Sequence, residues 1–89
     1  MRTVECEVLV VGSGPGGAMT AAVLAEAGHD VLLVEEGRDL SVDSAPSYTL
    51  AEMDQKYRAG GLTSTFGKTN VTYIEGRCVG GASEINAAL

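Results

Sequence analysis

Val8-Leu9-Val10-Val11-Gly12-Ser13-Gly14-Pro15-Gly16-Gly17 decides the fold. An apolar run of strand length meets a glycine turn, and helix-forming residues follow. A second apolar run, Val31-Leu32-Leu33-Val34, ends on Glu35. A bare G-x-G-x-x-G arises by chance, but after a strand, before a helix and with an acid about 20 residues on it marks a dinucleotide-binding βαβ unit.

Each glycine has its own task. Gly12 lets the chain leave the strand in a tight turn, Gly14 lets a diphosphate approach the backbone, and Gly17 lets the helix pack close to the sheet. Pro15 has no N–H to satisfy and suits a first helical turn, so the helix is predicted to start at Pro15 or Gly16. The turn carries no Lys or Arg. An anion there would rely on the unpaired N–H groups and the positive end of the helix dipole.

Gly17, Ala21 and Ala25 recur at helical spacing and predict a stripe of small side chains against a sheet, with Val23 and Leu24 supplying bulk. Gly28 is the expected left-handed stop. Val31 to Val34 reads as a buried parallel strand, apolar on both faces. It delivers Glu35 to the ligand edge, where a carboxylate accepts from ribose hydroxyls and repels a 2′-phosphate, favouring FAD or NAD over NADP. Glu36 is the weaker candidate, because pleated alternation would turn it away.

The 89 residues amount to one small domain, and one strand-helix-strand unit buries little of its own surface. The apolar ending Ala87-Ala88-Leu89 has no stop signal, so an N-terminal fragment of a longer protein is expected. No apolar run is long enough to span a bilayer, and no signal peptide precedes the first strand, so the cytoplasm is the default location. A net charge of -6 argues against nucleic acid or an anionic membrane as partner. Cys6 and Cys78 are far apart with no C-x-x-C, and each reads as a buried structural thiol rather than a metal ligand. His29, just after Gly28, reads as a surface turn residue at the far end of the second strand.

Downstream, Ser41 to Ser47 reads as an irregular surface stretch. Thr49-Leu50-Ala51-Glu52 fits a capping box, with Leu50, Met53 and Tyr57 on one face of a helix ending before Gly60-Gly61. Lys56 and Arg58 read as solvated flanks. Leu62 to Tyr73 is rich in Thr, Val, Phe and Tyr and predicts a hairpin-like segment turning near Gly67-Lys68. Gly76-Arg77-Cys78-Val79-Gly80-Gly81-Ala82-Ser83-Glu84-Ile85-Asn86 then offers a second turn with paired glycines and a small hydroxyl residue able to cap a helix. By itself that segment is equally a flexible loop.

Taken together, Val10 to Gly17, Glu35-Glu36-Gly37 and Gly76 to Asn86 resemble the glucose-methanol-choline (GMC) oxidoreductases, FAD enzymes that oxidise alcohols. The second segment is similar to that family's G-R-x-x-G-G-[ST]-S-x-x-N signature, departing at Ala82. Tyr57-Arg58-Ala59-Gly60-Gly61 is similar to the long-chain alcohol oxidase branch. The resemblance implies an α/β fold: the N-terminal βαβ part of a Rossmann-like FAD-binding domain, followed by a helix and an extended Gly-rich segment. It implies FAD as cofactor, an alcohol as substrate, a separate electron acceptor, and the remainder of the chain as structural partner.

The same resemblance puts the turn Gly12, Ser13, Gly14, Pro15, Gly16 and Gly17 on the FAD diphosphate and Glu35, with Glu36 beside it, on the adenosine ribose. It puts Gly80, Gly81, Ser83 and Asn86 along the pyrophosphate, ribityl chain or flavin. Arg77 has two uses there, facing a phosphate or fixing the loop. The catalytic base of such enzymes lies near the C-terminus, so no residue of these 89 is assigned catalysis. An NAD-dependent dehydrogenase, a flavin monooxygenase and a non-catalytic nucleotide-binding module remain as alternative readings.

Overall fold

The computed structural model describes residues 1–41 and 43–85. Strand β1 (Val8–Val11), helix α1 (Pro15–Glu26) and strand β2 (Val31–Val34) form the opening unit. β1 and β2 pair in parallel, with Val8 opposite Val31 and Val11 opposite Val34. Two parallel strands joined by a helix are the βαβ unit that the glycine spacing predicts. Pro15 opens the helix, and Gly28 takes the left-handed conformation beyond it, with φ +93.

Gly17, Ala21 and Leu24 are half-buried, whereas Ala25 and Val23 are exposed. The inward stripe therefore ends on Leu24 and not on the expected Ala25, because the bulkier side chain takes the seventh position of the i, i+4, i+7 series. Gly17 allows close packing: a Cβ there would overlap the carbonyl oxygen of Gly12.

β2 is not buried as expected. Leu33 and Val34 are 39% and 38% exposed, and in β1 Leu9 and Val11 are 56% and 78% exposed. The two-stranded sheet has α1 packed against it, and among the described residues no further strand pairs with it. The accessible surface is 6843 Å², against about 4,900 Å² for a compact monomer of this mass.

After β2 the chain bends at Glu36 and Gly37 and crosses to helix α2 (Leu50–Lys56). The Thr49 hydroxyl accepts the Glu52 N–H at 3.3 Å, as the capping box requires. The Glu52 carboxylate reaches back to the Tyr48 N–H at 2.6 Å, one residue before the cap. Leu50 is 83% exposed and so leaves the predicted apolar face, while Met53 and Tyr57 stay half-buried. A 3-10 turn covers Arg58–Gly61. Short strands β3 (Thr63–Ser64) and β4 (Thr72–Tyr73) then pair antiparallel, which realises the predicted hairpin around Gly67-Lys68.

The last described segment folds back onto the end of α2, the stretch after β2 and the first glycine turn. Tyr57 bridges to Gly76, Arg38 bridges in parallel to Cys78, and the Val79 N–H donates to the Arg38 carbonyl at 3.0 Å. Cys78 is 2% exposed and Ala45 8%, the buried apolar residues among those described. Cys6 is only half-buried, so the buried reading holds for one thiol of the two.

Lys56 and Arg58 depart from their expected solvated role. Lys56 is 7% exposed, because the returning segment closes over the end of α2 and the Arg77 N–H donates to its carbonyl. Its Nζ donates to Glu52 Oε1 at 3.3 Å one helical turn back. Arg58 is half-buried between Glu36 and Glu75.

Candidate nucleotide site

Both strands end at one edge, and that edge carries the site. Gly12 leaves β1 with φ +97, a value an L side chain resists, and its N–H donates to the Val34 carbonyl at 2.8 Å. The last ladder bond thus ties the glycine turn to the end of β2. Glu35 follows directly.

The Glu35 carboxylate is held from three sides. Its Oε2 accepts the Ser13 N–H at 2.9 Å and the Ser13 hydroxyl at 2.5 Å, and its Oε1 accepts the Gly37 N–H at 2.8 Å. These donors favour the anion. The Ser13 hydroxyl contributes most, then the Gly37 and Ser13 amides, and together they hold the group down at about 2.

The second glycine segment lies against the first. A Cβ on Gly81 would come within 2.9 Å of the Gly14 Cα, and one on Gly76 within 2.6 Å of the Gly81 carbonyl carbon. Only hydrogen at these positions lets the three backbones stack so closely. The Gly80 N–H donates to the Ser13 hydroxyl oxygen at 3.1 Å across 67 residues of sequence.

Between the turns lies a cavity of about 560 Å³ walled by Gly12, Ser13, Gly14, Glu35, Glu36 and Gly81, with Val11, Val34 and Gly76 completing it. The volume falls in the range of small-molecule and cofactor sites, ≈ 300–1,000 Å³. Its walls fit a nucleotide diphosphate. Nothing lies within 4 Å of where a Gly14 Cβ would stand, and among the described residues the N–H groups of Gly14, Gly16 and Gly17 donate to no protein acceptor. Helix α1 has neither a side-chain N-cap nor an acid in its first turn. Unpaired amides at the positive end of a twelve-residue helix are what an anion needs there.

Of the residues expected at the site, six line the cavity. Gly80 joins through Ser13, while Pro15, Gly16 and Gly17 form the adjoining first turn of α1. Ser83 does not line it. Its hydroxyl donates to the Gly80 carbonyl at 2.7 Å inside a 3-10 turn over Gly81–Glu84, so it fastens its own loop instead of capping that turn. Asn86 lies outside the described residues.

Arg77 also stands off the cavity wall. It is exposed, with Nε 3.6 Å from Glu36 Oε2. Glu36 does face the site, contrary to the alternation argument, because the bend after Val34 ends the pleat. Its carboxylate is shared by Arg58 and Arg77. Arg58 also donates to Glu75 at 2.5 Å, and the two carboxylates, Glu36 first, raise its guanidinium above the ordinary value. Gly76, Val11 and Val34 were not anticipated. The signal for Gly76 is its place as the first glycine of the second motif.

His29 stands at the other end of β2, where its Nδ1 lies 2.7 Å from Glu7 Oε1. That contact is the foremost cause of a lowered Glu7 carboxyl. The imidazole is far from the cavity.

Comparison with known proteins agrees with this geometry. The model of the FAD binding domain family matches residues 5–84. An uncharacterized GMC-type oxidoreductase of Sinorhizobium fredii is 42% identical over 85 residues, covering 96% of this chain and 17% of its own length. A long-chain-alcohol oxidase of Arabidopsis thaliana is 42% identical over 83 residues, covering 93% of this chain and 11% of its own. A flavin-dependent halogenase of Penicillium aethiopicum is 49% identical, but over 48 residues, which is 54% of this chain and 8% of its own length. The chain thus spans less than a fifth of the length of the relatives it matches.

Proposed function

The chain belongs to the FAD binding domain family, and from that premise we propose that its 89 residues are the nucleotide-binding opening of a longer flavoenzyme that oxidises an alcohol. The cofactor is FAD, and the longer protein is an oxidoreductase similar to the GMC type. One observation carries the proposal: the two glycine turns, 67 residues apart, converge with Glu35 on a single cavity.

The choice of alcohol chemistry rests on which relatives share both turns. The matches to the GMC-type oxidoreductase and the long-chain-alcohol oxidase cover 96% and 93% of the chain. The 48-residue halogenase match is too short to join Ser13 to Gly80.

In this reading the Gly14, Gly16 and Gly17 amides hold the diphosphate, and the open space over Gly14 admits it. Gly12 shapes the turn, and Pro15 sets the first helical residue without spending a donor. Glu35 accepts a ribose hydroxyl. Gly80 and Gly81 wall the opposite side, with Ser83 and Asn86 further along the same segment. The Glu35 charge disfavours a 2′-phosphate, while Glu36 beside it at the cavity wall is paired with Arg58 and Arg77. FAD supplies the hydride acceptor when bound.

The described residues bind and orient, and none is placed to take the alcohol proton. Two apolar sheet strands with exposed faces accord with burial against further residues of a longer domain. A reducing, cytoplasmic compartment accords with two free thiols. The electron acceptor is a separate small molecule or protein.

The test is spectroscopic. The full-length protein is expected to purify yellow and to bleach when a long-chain alcohol is added without oxygen. A colourless protein that retains NAD would refute the flavin reading. A yellow protein that no alcohol bleaches would refute the alcohol.

A further inference from the structure

Ser13 occupies the second position of the glycine turn, where neither a tight bend nor a close phosphate approach explains a hydroxyl. It is 6% exposed, one of two buried polar side chains among the described residues. Its amide and hydroxyl both go to Glu35 Oε2, at 2.9 and 2.5 Å. Its oxygen receives the Gly80 N–H at 3.1 Å.

The proton positions follow from the partners. An ionised carboxylate only accepts, so the hydroxyl hydrogen is committed to Glu35, and the oxygen lone pairs remain for Gly80. The result is a one-way chain from the Gly80 N–H through the Ser13 O–H to the Glu35 carboxylate, in which each bond polarises the next. Oε2 then has both acceptor directions filled. Oε1 has one filled, by the Gly37 N–H at 2.8 Å.

We propose that Ser13 is a positioning residue: its hydroxyl clasps the second glycine turn to the first and fixes the Glu35 carboxylate so that Oε1 alone offers an acceptor to the bound nucleotide's ribose. The inference rests on the FAD reading above and adds a part that the glycine fingerprint does not contain. Cofactor retention and closure of the Gly76–Gly81 segment are thereby coupled through one side chain. An alanine at 13 keeps the backbone amides of residues 13 and 37 on Glu35 but strands the half-buried Gly80 N–H and leaves Oε2 with one acceptor direction open.

The experiment uses the full FAD-loaded chain with Ser13→Ala and the isosteric pair Ser13→Thr and Ser13→Val. Hydrogen exchange at the Gly80 amide should quicken by about ten-fold or more in Ser13→Ala, while amides of α1 stay as in the parent. The FAD dissociation constant should rise by about the same factor. The midpoint of acid-induced FAD release should move to higher pH, because Glu35 loses its strongest hydrogen-bond partner. A purely structural defect would weaken binding by the same factor at every pH and leave the pH dependence of the dissociation constant unchanged.

The isosteric pair covers the case in which Ser13→Ala does not load. Ser13→Thr loading while Ser13→Val does not supports the clasp. Thr and Val behaving alike overturns it, as does a Ser13→Ala protein with unchanged Gly80 exchange, FAD affinity and release profile. A parent protein that binds no FAD would instead overturn the FAD reading itself.

Discussion

Gly81→Ala tests the contact between the two turns. Gly81 sits at φ +65, and an Ala there costs ~1–2 kcal/mol of backbone strain. The larger effect is steric. The new methyl would stand 2.9 Å from the Gly14 Cα and 3.4 Å from the Gly14 nitrogen. Carbon atoms rest about 3.5–4.0 Å apart, so the second turn must retreat by roughly 0.6–1 Å. Gly80 would be carried away from Ser13, whose 3.1 Å bond has little length to spare. Overpacking of this kind costs ~1–3 kcal/mol, so the total is about 2–5 kcal/mol.

Gly28→Ala is the matched control. Gly28 also lies in the left-handed region, at φ +93, but nothing stands within 4 Å of its would-be Cβ. It should show backbone strain alone, ~1–2 kcal/mol, and leave FAD affinity unchanged. Urea unfolding of the FAD-loaded protein gives the stability, and titration of the apoprotein followed by flavin fluorescence gives the affinity. Gly81→Ala should lower both. If it holds FAD as tightly as Gly28→Ala does, the second turn does not close on the first, and the shared cavity is wrong.

Three further outcomes follow from other contacts. Glu35 has a folded-state value of about 2, below its ordinary 4.5, so its contribution to stability is fully present above 4.5 and is lost as pH falls towards 2; the urea midpoints of the parent and Glu35→Gln should converge over that window, and a constant gap would refute the assignment. Thr49→Ala removes the α2 cap and should cost ~1 kcal/mol in urea unfolding, with Thr49→Ser close to the parent. Burial pushes the Cys78 thiol up, while Cys6 is half-buried, so iodoacetamide should label Cys6 well before Cys78, and equal rates would contradict the packing of the 76–81 segment.

What the amino-acid sequence made legible was local. The start of α1 at Pro15, the left-handed Gly28 and the Thr49 cap each depend on residues within a few positions of one another, and the parallel pair and the hairpin join segments adjacent in the order of elements. Propensity and steric rules act at that range. Exposure is not legible locally where it depends on a distant segment. Lys56 is buried because Arg77 and Gly76 close over α2, and no spacing around Lys56 announces it. β2 has the composition of a strand covered on both faces, yet Leu33 and Val34 are exposed in these 89 residues. Composition reports the burial a strand is suited to, and the neighbours present decide what it has.

The site shows the same division more sharply. Gly12, Gly14 and Gly17 can be assigned tasks in advance because each task is steric and each residue has no side chain to place. Ser13 cannot, since a hydroxyl at that position is equally compatible with solvent, a phosphate or a neighbouring turn. Its partner Gly80 is 67 residues away. Glu35 was legible as an acceptor but not as one with three donors already attached, and those three bonds change what it can do. A carboxylate free to rotate offers both oxygens to a ribose diol, whereas one fastened at Oε2 by Ser13 and at Oε1 by Gly37 offers a single direction. On the FAD reading proposed above, selection for a ribose with a free hydroxyl at that one direction comes from Ser13 and Gly37 as much as from the negative charge of Glu35. Removing Ser13 should loosen that geometry while leaving the charge intact.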